Sequence, residues 1–110
     1  MATSKPLIYA SKISAKFGFS EYFDAEVGSG IDGSFPTKAS VIAEVMKRLN
    51  VSAEECLMVG DRHHDADGAK ENGMDCVLLK VGYAENEAEY LIANPKYVME
   101  DFTQLREFLL

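Results

Sequence analysis

Val59-Gly60-Asp61-Arg62-His63-His64-Asp65-Ala66-Asp67-Gly68-Ala69 follows a short apolar approach, Cys56-Leu57-Met58-Val59, and the reading of the chain turns on it. A brief apolar run closed by a glycine is the pattern of a buried strand, and Gly60 permits a tight turn after it. Asp61 therefore stands at the carboxyl edge of a strand. Gly68 and Ala69 are small enough to bring the following helix close to the sheet, and Asn72-Gly73 supplies its stop. Asp61 and Asp65, four residues apart across such a turn, outline a hard-cation site. They suit Mg²⁺, which takes one or two protein carboxylates and fills its other positions with water and substrate phosphate. The competing reading is that Asp61 and Asp65 cap the helix, whose N-terminal dipole favours negative charge.

Outward from this turn, strand and helix patterns alternate. Leu7 to Phe17 carries Tyr9, Ile13 and Phe17 at four-residue spacing and ends at Gly18, which predicts an amphipathic helix with Pro6 in its first turn. A short strand is expected over Phe23 to Val27, then a loop from Gly28 to Pro36. From Thr37, the apolar positions Val41, Ile42, Val45, Met46 and Leu49 mark a second helix ended by Asn50. Beyond the acidic turn come a strand over Cys76 to Lys80 and an exposed acidic helix over Glu85 to Ala93, closed by Asn94-Pro95. Tyr97 to Met99 reads as an edge strand. Asp101 then caps a last helix with Phe102, Leu105, Phe108 and Leu109 expected inward. Such alternation predicts an α/β domain with a mostly parallel sheet, one domain over residues 1–110.

Composition narrows the partners. With 11 basic and 18 acidic residues the formal net charge is −7, which disfavours nucleic-acid backbones and anionic membrane surfaces. No apolar run approaches the roughly 20 residues needed to span a bilayer, and the start carries no signal-peptide core, so a cytoplasmic location is expected. Cys56 and Cys76 adjoin apolar runs and read as reduced thiols behaving as small hydrophobes.

Thr3-Ser4-Lys5-Pro6, the loop Gly28-Ser29-Gly30-Ile31-Asp32-Gly33, Lys38, and Gly60-Asp61-Arg62-His63-His64-Asp65 stand in the order Thr, Lys, Asp-x-x-x-Asp. In this the chain resembles the haloacid dehalogenase superfamily of phosphohydrolases, and in particular its phosphoglycolate-phosphatase-like branch. The resemblance implies a partial Rossmann-like core. It also implies a phosphate site in which Thr3 and Ser4 bind phosphoryl oxygens at a helix start, and Lys38 neutralises the nucleophile and transferring phosphate. Asp61 and Asp65 would hold Mg²⁺, and the substrate would be a small phosphorylated metabolite.

The superfamily's chemistry begins with an Asp-x-Asp motif on an earlier strand, and no such triplet precedes Thr3. The triplet present, Asp65-Ala66-Asp67, lies inside the acidic turn. The cap segment that normally shapes the substrate pocket is absent as well. The chain is therefore expected to be a truncated core that starts at the second signature motif, without its first strand, nucleophile or cap, and inactive in isolation. In the family's sheet that strand lies centrally, between the one bearing Thr3 and the one ending at Asp61. Homo-oligomerisation through the strand edges left exposed is the corresponding expectation.

Each candidate has a plainer reading. Thr3 or Ser4 can simply cap the first helix. A cation at a helix N-terminus has the wrong sign for the dipole, so a purely local role explains Lys38 poorly, and Lys5 is the competing lysine. Gly28 to Gly33 spells G-x-G-x-x-G, but Phe35-Pro36 separates it from the next helix, where a dinucleotide fingerprint would open that helix directly. His63 and His64 are adjacent, so on a helix their side chains diverge by about 100°, and Asp67 is read as solvated. A receiver-type signalling domain would place its acidic pair before the hydroxyl and lysine, the reverse of the order here. A non-catalytic interaction domain built on the same fold is the other alternative.

Overall fold

Lys5 and Leu7 press so closely on Gly28 that a Cβ added there would fall 2.5 Å from the Lys5 carbonyl oxygen. That approach is what the first sheet is built on. In the computed structural model, which describes residues 1–82 and 87–110, the chain divides into two compact units, Met1–Ser52 and Ala53–Leu110. In the first, strand β1 (Ala2–Pro6) leads into helix α1 (Leu7–Lys16), then strand β2 (Val27–Ser29) and helix α2 (Lys38–Leu49). β1 and β2 pair in parallel, Ala2 opposite Val27 and Pro6 opposite Ser29, with a register irregularity between.

α2 begins as the sequence predicts. Thr37 Oγ1 accepts from the Ser40 amide at 3.1 Å, while Ser40 Oγ accepts from the Thr37 amide at 3.1 Å, a reciprocal cap that satisfies N–H groups at both positions. Asn50 ends the helix in the left-handed region, φ 52°, a conformation asparagine tolerates.

Two expectations for this unit are corrected. The second strand lies at Val27–Ser29 rather than Phe23 to Val27. Its pairing starts where the Val27 amide donates to the Met1 carbonyl at 3.0 Å, and Ser20–Tyr22 upstream form a 3-10 turn instead. α1 is present, but turned about its axis relative to the expected face. Tyr9, Ile13 and Phe17 are 57%, 45% and 63% exposed, whereas Ala10 and Ser14 are 6% and 2% exposed. Small residues four apart let the helix backbone sit close to its neighbours, and this outweighs burial of the large apolar stripe within the unit.

The second unit runs β3 (Leu57–Gly60), α3 (His63–Glu71), β4 (Asp75–Leu79), α4 (Ala88–Ala93), β5 (Tyr97–Met99) and α5 (Phe102–Leu109). Its three strands form a parallel sheet in the order β3-β4-β5. Cys76, Val77, Leu78 and Leu79 of the central strand are at most 2% exposed, as expected for a parallel strand covered on both faces. α3 packs on β3 and β4 and buries Ala66, Gly68 and Ala69, which explains the small residues there. Gly73 follows it at φ +70°, the left-handed position where glycine carries no Cβ penalty.

Tyr97–Met99 is the edge strand predicted. α4 is corrected in part: Tyr90 and Ala93 are buried, so it is not an exposed acidic helix throughout, and residues 85 and 86 of the predicted segment lie outside the described residues. α5 is capped by Asp101, whose Oδ1 accepts from the Gln104 amide at 2.9 Å. Its Phe102, Phe108 and Leu109 are nevertheless exposed, against expectation. α5 reaches the unit mainly through β5, where the Phe108 ring lies 4.9 Å from that of Tyr97. Among the described residues no helix is long and apolar enough to cross a membrane.

Candidate active site

In the second unit β3 delivers Asp61 beyond its last residue, Gly60, and the extended Arg62 (φ −128°, ψ 159°) leads into α3. Asp65, on the first turn of α3 and 6% exposed, folds back on this entrance. Its Oδ2 accepts from the Asp61 amide at 3.0 Å and the Arg62 amide at 3.2 Å. The capping reading of Asp65 is thus realised in the geometry: one carboxylate oxygen holds the backbone of the turn, with the sign that the helix dipole favours. A Cβ at Gly60 would lie 2.1 Å from that same Oδ2. The glycine is needed there for contact as well as for turning.

Asp61 is packed in a similar way. A Cβ at Gly82, just past β4, would fall 1.7 Å from Asp61 Oδ2. The carboxylate therefore occupies the space that this glycine leaves. Beside it opens a cleft of about 380 Å³ whose walls include Val59, Leu79, Val81 and Phe102, with Asp61 in its lining. The residues fit one corner of a Mg²⁺ site: a hard carboxylate against backbone, with a second carboxylate orienting it. Among the described residues no cluster of three His, Cys, Asp or Glu side chains stands ready to hold a metal by itself. That is compatible with an ion that takes most of its ligands from water, phosphate and other carboxylates.

The electrostatic reach of the turn shows at Cys76. Burial first, and the Asp65 carboxylate second, push its thiol up to about 12, with Lys70 opposing. It is an inert, neutral thiol.

The first unit brings two other candidates together. Lys38 is the first helical residue of α2, and its Nζ donates to the Ala2 carbonyl at 3.2 Å, next to Thr3 on β1. Thr3 lies within the strand and not at a helix start; α1 begins only at Leu7, with Pro6 in the capping position. The expectation that Thr3 or Ser4 sits at the helix N-terminus is corrected accordingly. Thr3 Oγ1 accepts from the Lys5 amide at 3.2 Å, which leaves the hydroxyl proton able to donate. Ser4 is exposed, and its carbonyl accepts from Ser29 Oγ at 3.1 Å. Lys5 is exposed too.

His63 and His64 do not diverge as the helical spacing predicts. Their rings lie 3.8 Å apart, and His63 Nδ1 is 3.2 Å from Asp67 Oδ2.

Glu89, Arg62 and Gly82 were not singled out in the sequence. Glu89 Oε1 accepts from Arg62 Nε at 2.8 Å and from the His63 amide at 2.9 Å. The partners are 27 and 26 residues away, so no local pattern marks them.

Comparisons with known proteins identify the family. A family model described as HAD-hydrolase-like matches residues 37–105. The chain is 37% identical over 109 residues to a 5'-nucleotidase of Pseudomonas aeruginosa, covering 99% of this chain and 49% of that protein. It is 30% identical over 105 residues to a phosphoglycolate phosphatase of Colwellia psychrerythraea, covering 94% and 45%. Among solved structures, a predicted phosphatase from Clostridium acetobutylicum superposes with a TM-score of 0.92 at 33% identity, over 98% of this chain and 50% of that one. The chain spans about half the length of the curated relatives it matches. Its parallel α/β architecture, the acidic turn after β3 and these likenesses together place it in the HAD-hydrolase-like family of phosphatases, in the phosphoglycolate-phosphatase-like branch, as part of that family's core.

Proposed function

We propose that these 110 residues carry the second part of a phosphate monoester hydrolase site, which is completed by an Asp-x-Asp strand from outside them. The observation that carries the reading is Asp61, held against Gly82 while Asp65 ties down the turn from which it projects. In the complete site Asp61, oriented by Asp65, would hold Mg²⁺. The ion would supply Lewis-acid stabilisation of charge on the phosphoryl oxygens.

This chain's own residues bind and orient. Lys38 brings its ammonium to the strand that carries Thr3, where it offsets phosphate charge, and the Thr3 hydroxyl donates to a phosphoryl oxygen with exposed Ser4 beside it. The nucleophile would be an aspartate outside the chain. Its carboxylate oxygen bonds to phosphorus as the ester oxygen departs and takes a proton; water then attacks phosphorus and releases the aspartate and inorganic phosphate. Substrates are small phosphate esters, a class that includes phosphoglycolate and nucleoside monophosphates.

The test is direct. The purified chain should show no turnover of p-nitrophenyl phosphate or phosphoglycolate with or without Mg²⁺. It should also bind Mg²⁺ weakly, most of that binding disappearing in Asp61→Ala and little in His63→Ala. Magnesium-dependent hydrolysis abolished by Asp61→Asn would overturn the assignment of the nucleophile to another segment.

A second reading concerns assembly, and rests on the strand edges. Among the described residues β1 pairs with β2 and β3 with β4, so β1 and β3 each stand at an edge of their sheet. β3 is Leu-Met-Val-Gly, with no charge or proline to blunt pairing. A homo-oligomer joined through these edges follows. Light scattering across a dilution series tests it, and a cooperative monomer at every concentration would exclude it.

A further inference from the structure

Three consecutive amides run from Asp61 to His63, and two carboxylates take them up. Asp65 Oδ2 accepts the first two and Glu89 Oε1 accepts the third. The residue in the capping position is Arg62, a side chain with no acceptor for these N–H groups. One of the three amides is therefore held from a distance. Glu89 comes from α4, its side chain is only 9% exposed, and the same oxygen receives Arg62 Nε at 2.8 Å.

From this geometry we infer that Glu89 is a positioning residue: it fixes the backbone at Arg62 and His63 and so sets where the Asp61 carboxylate projects. The inference rests on the metal-site reading above. A role confined to docking α4 accounts poorly for the contacts, because that helix has other anchors. Lys70 Nζ donates to the Ala93 carbonyl at its far end, and Tyr90 and Ala93 are buried. Glu89 Oε1 instead meets the two residues that follow Asp61. Gly82 completes the arrangement by leaving room for the carboxylate so placed. A salt bridge removed from water is a weak stabiliser in itself. What this one provides is a fixed angle between a strand end and a helix start.

The experiment uses the whole chain with Glu89→Ala, Glu89→Gln and Lys70→Met, read by residue-resolved amide exchange and by Mg²⁺ titration in NMR. Glu89→Ala should speed exchange at His63 about tenfold or more relative to β4 amides, because a charge-assisted acceptor is lost. The same variant should weaken Mg²⁺ about tenfold, the loss typical when a ligand's orienting partner is removed. Glu89→Gln keeps the accepting oxygen but not its charge and should fall between the parent and Glu89→Ala in both readouts. Lys70→Met should loosen α4 without changing the His63 amide. Exchange that rises equally at His63 and β4, or a Gln variant as defective as the Ala variant, would overturn the inference. If the parent chain shows no Mg²⁺-dependent shift at any amide, the metal reading falls, and His63 exchange still decides whether Glu89 holds the turn.

Discussion

The two units build their candidate chemistry in opposite ways. In the second, Asp61 and Asp65 are brought together by consecutive chain, and the hydrogen bonds that hold them span three or four residues. In the first, Lys38 reaches the Thr3 strand across 36 residues, and only the parallel pairing of β1 with β2 and the packing of α2 put it there. The acidic turn is a local object supported by a buried central strand. The lysine–hydroxyl pair is a product of tertiary structure on a two-stranded sheet.

That contrast predicts unequal sensitivity to core damage. Leu78, fully buried in β4, should cost about 3 kcal/mol on change to alanine. Tyr9→Ala, on the exposed face of α1, should change stability by no more than about 0.5 kcal/mol. Urea denaturation of both variants checks this. A large loss in Tyr9→Ala would show that the exposed stripe of α1 is covered after all.

Glycine gives a sharper comparison, because the same substitution meets backbone in one unit and a side chain in the other. Gly28→Ala drives a Cβ to 2.5 Å from the Lys5 carbonyl and 3.0 Å from the Leu7 nitrogen. Neither can rotate away, and the strain should cost about 2 kcal/mol. Gly82→Ala meets the Asp61 carboxylate, which can swing aside. It should cost less stability while weakening Mg²⁺ binding about tenfold. Denaturation and NMR titration on the pair separate the two effects. Equal stability losses would mean that Asp61 is as immovable as backbone.

The same locality governs what could be read from sequence. The strand, acidic turn and helix from Leu57 to Glu71, the Thr37 cap and the Asn50 stop depend on neighbouring residues, and they stand where the patterns put them. Which face of α1 is buried depends on what the helix packs against, and the large stripe Tyr9, Ile13, Phe17 was a poor guide beside the small pair Ala10 and Ser14. The start of β2 was misplaced for a similar reason, since pairing with β1 and not the apolar character of Phe23 sets it. Thr3, Lys38, Asp61 and Asp65 were visible as a motif order. Glu89 was not, because its partners lie 26 and 27 residues upstream and nothing in a single chain announces the meeting.

Alkaline pH should act on the second unit alone through its thiols, since both cysteines lie there. Cys76 is raised from an ordinary 9.0 to about 12. Well below pH 9 its thiol is neutral whether folded or unfolded, and stability is unaffected. As pH climbs from 9 towards 12 the unfolded chain ionises first, so stability falls, by at most about 1.4 kcal/mol per pH unit. Cys76→Ala should flatten that slope in denaturation curves taken from pH 8 to 10.5. The folded chain should alkylate at half-buried Cys56 well before Cys76. A slope unchanged by Cys76→Ala would assign the alkaline loss to other groups.

Loss of a helix cap tests whether the lysine–hydroxyl pair depends on local structure at all. Thr37 and Asp101 both cap by accepting the amide three residues on, Ser40 at 3.1 Å and Gln104 at 2.9 Å, so alanine at either should cost about 1 kcal/mol. Their consequences should nevertheless differ. α5 contributes the apolar Phe102 wall of the cleft but none of Thr3, Ser4, Lys38, Asp61 or Asp65, and Asp101→Ala should leave those five where they are. α2 opens with Lys38, so loss of the Thr37 cap frays the turn from which Nζ reaches Ala2. In the Thr37→Ala variant, phosphate-induced shifts at Thr3 and Lys38 should weaken while those of Asp101→Ala match the parent. If both variants bind phosphate as the parent does, the strand pairing and not the cap holds Lys38 in place, and the first unit's site is wholly tertiary in origin.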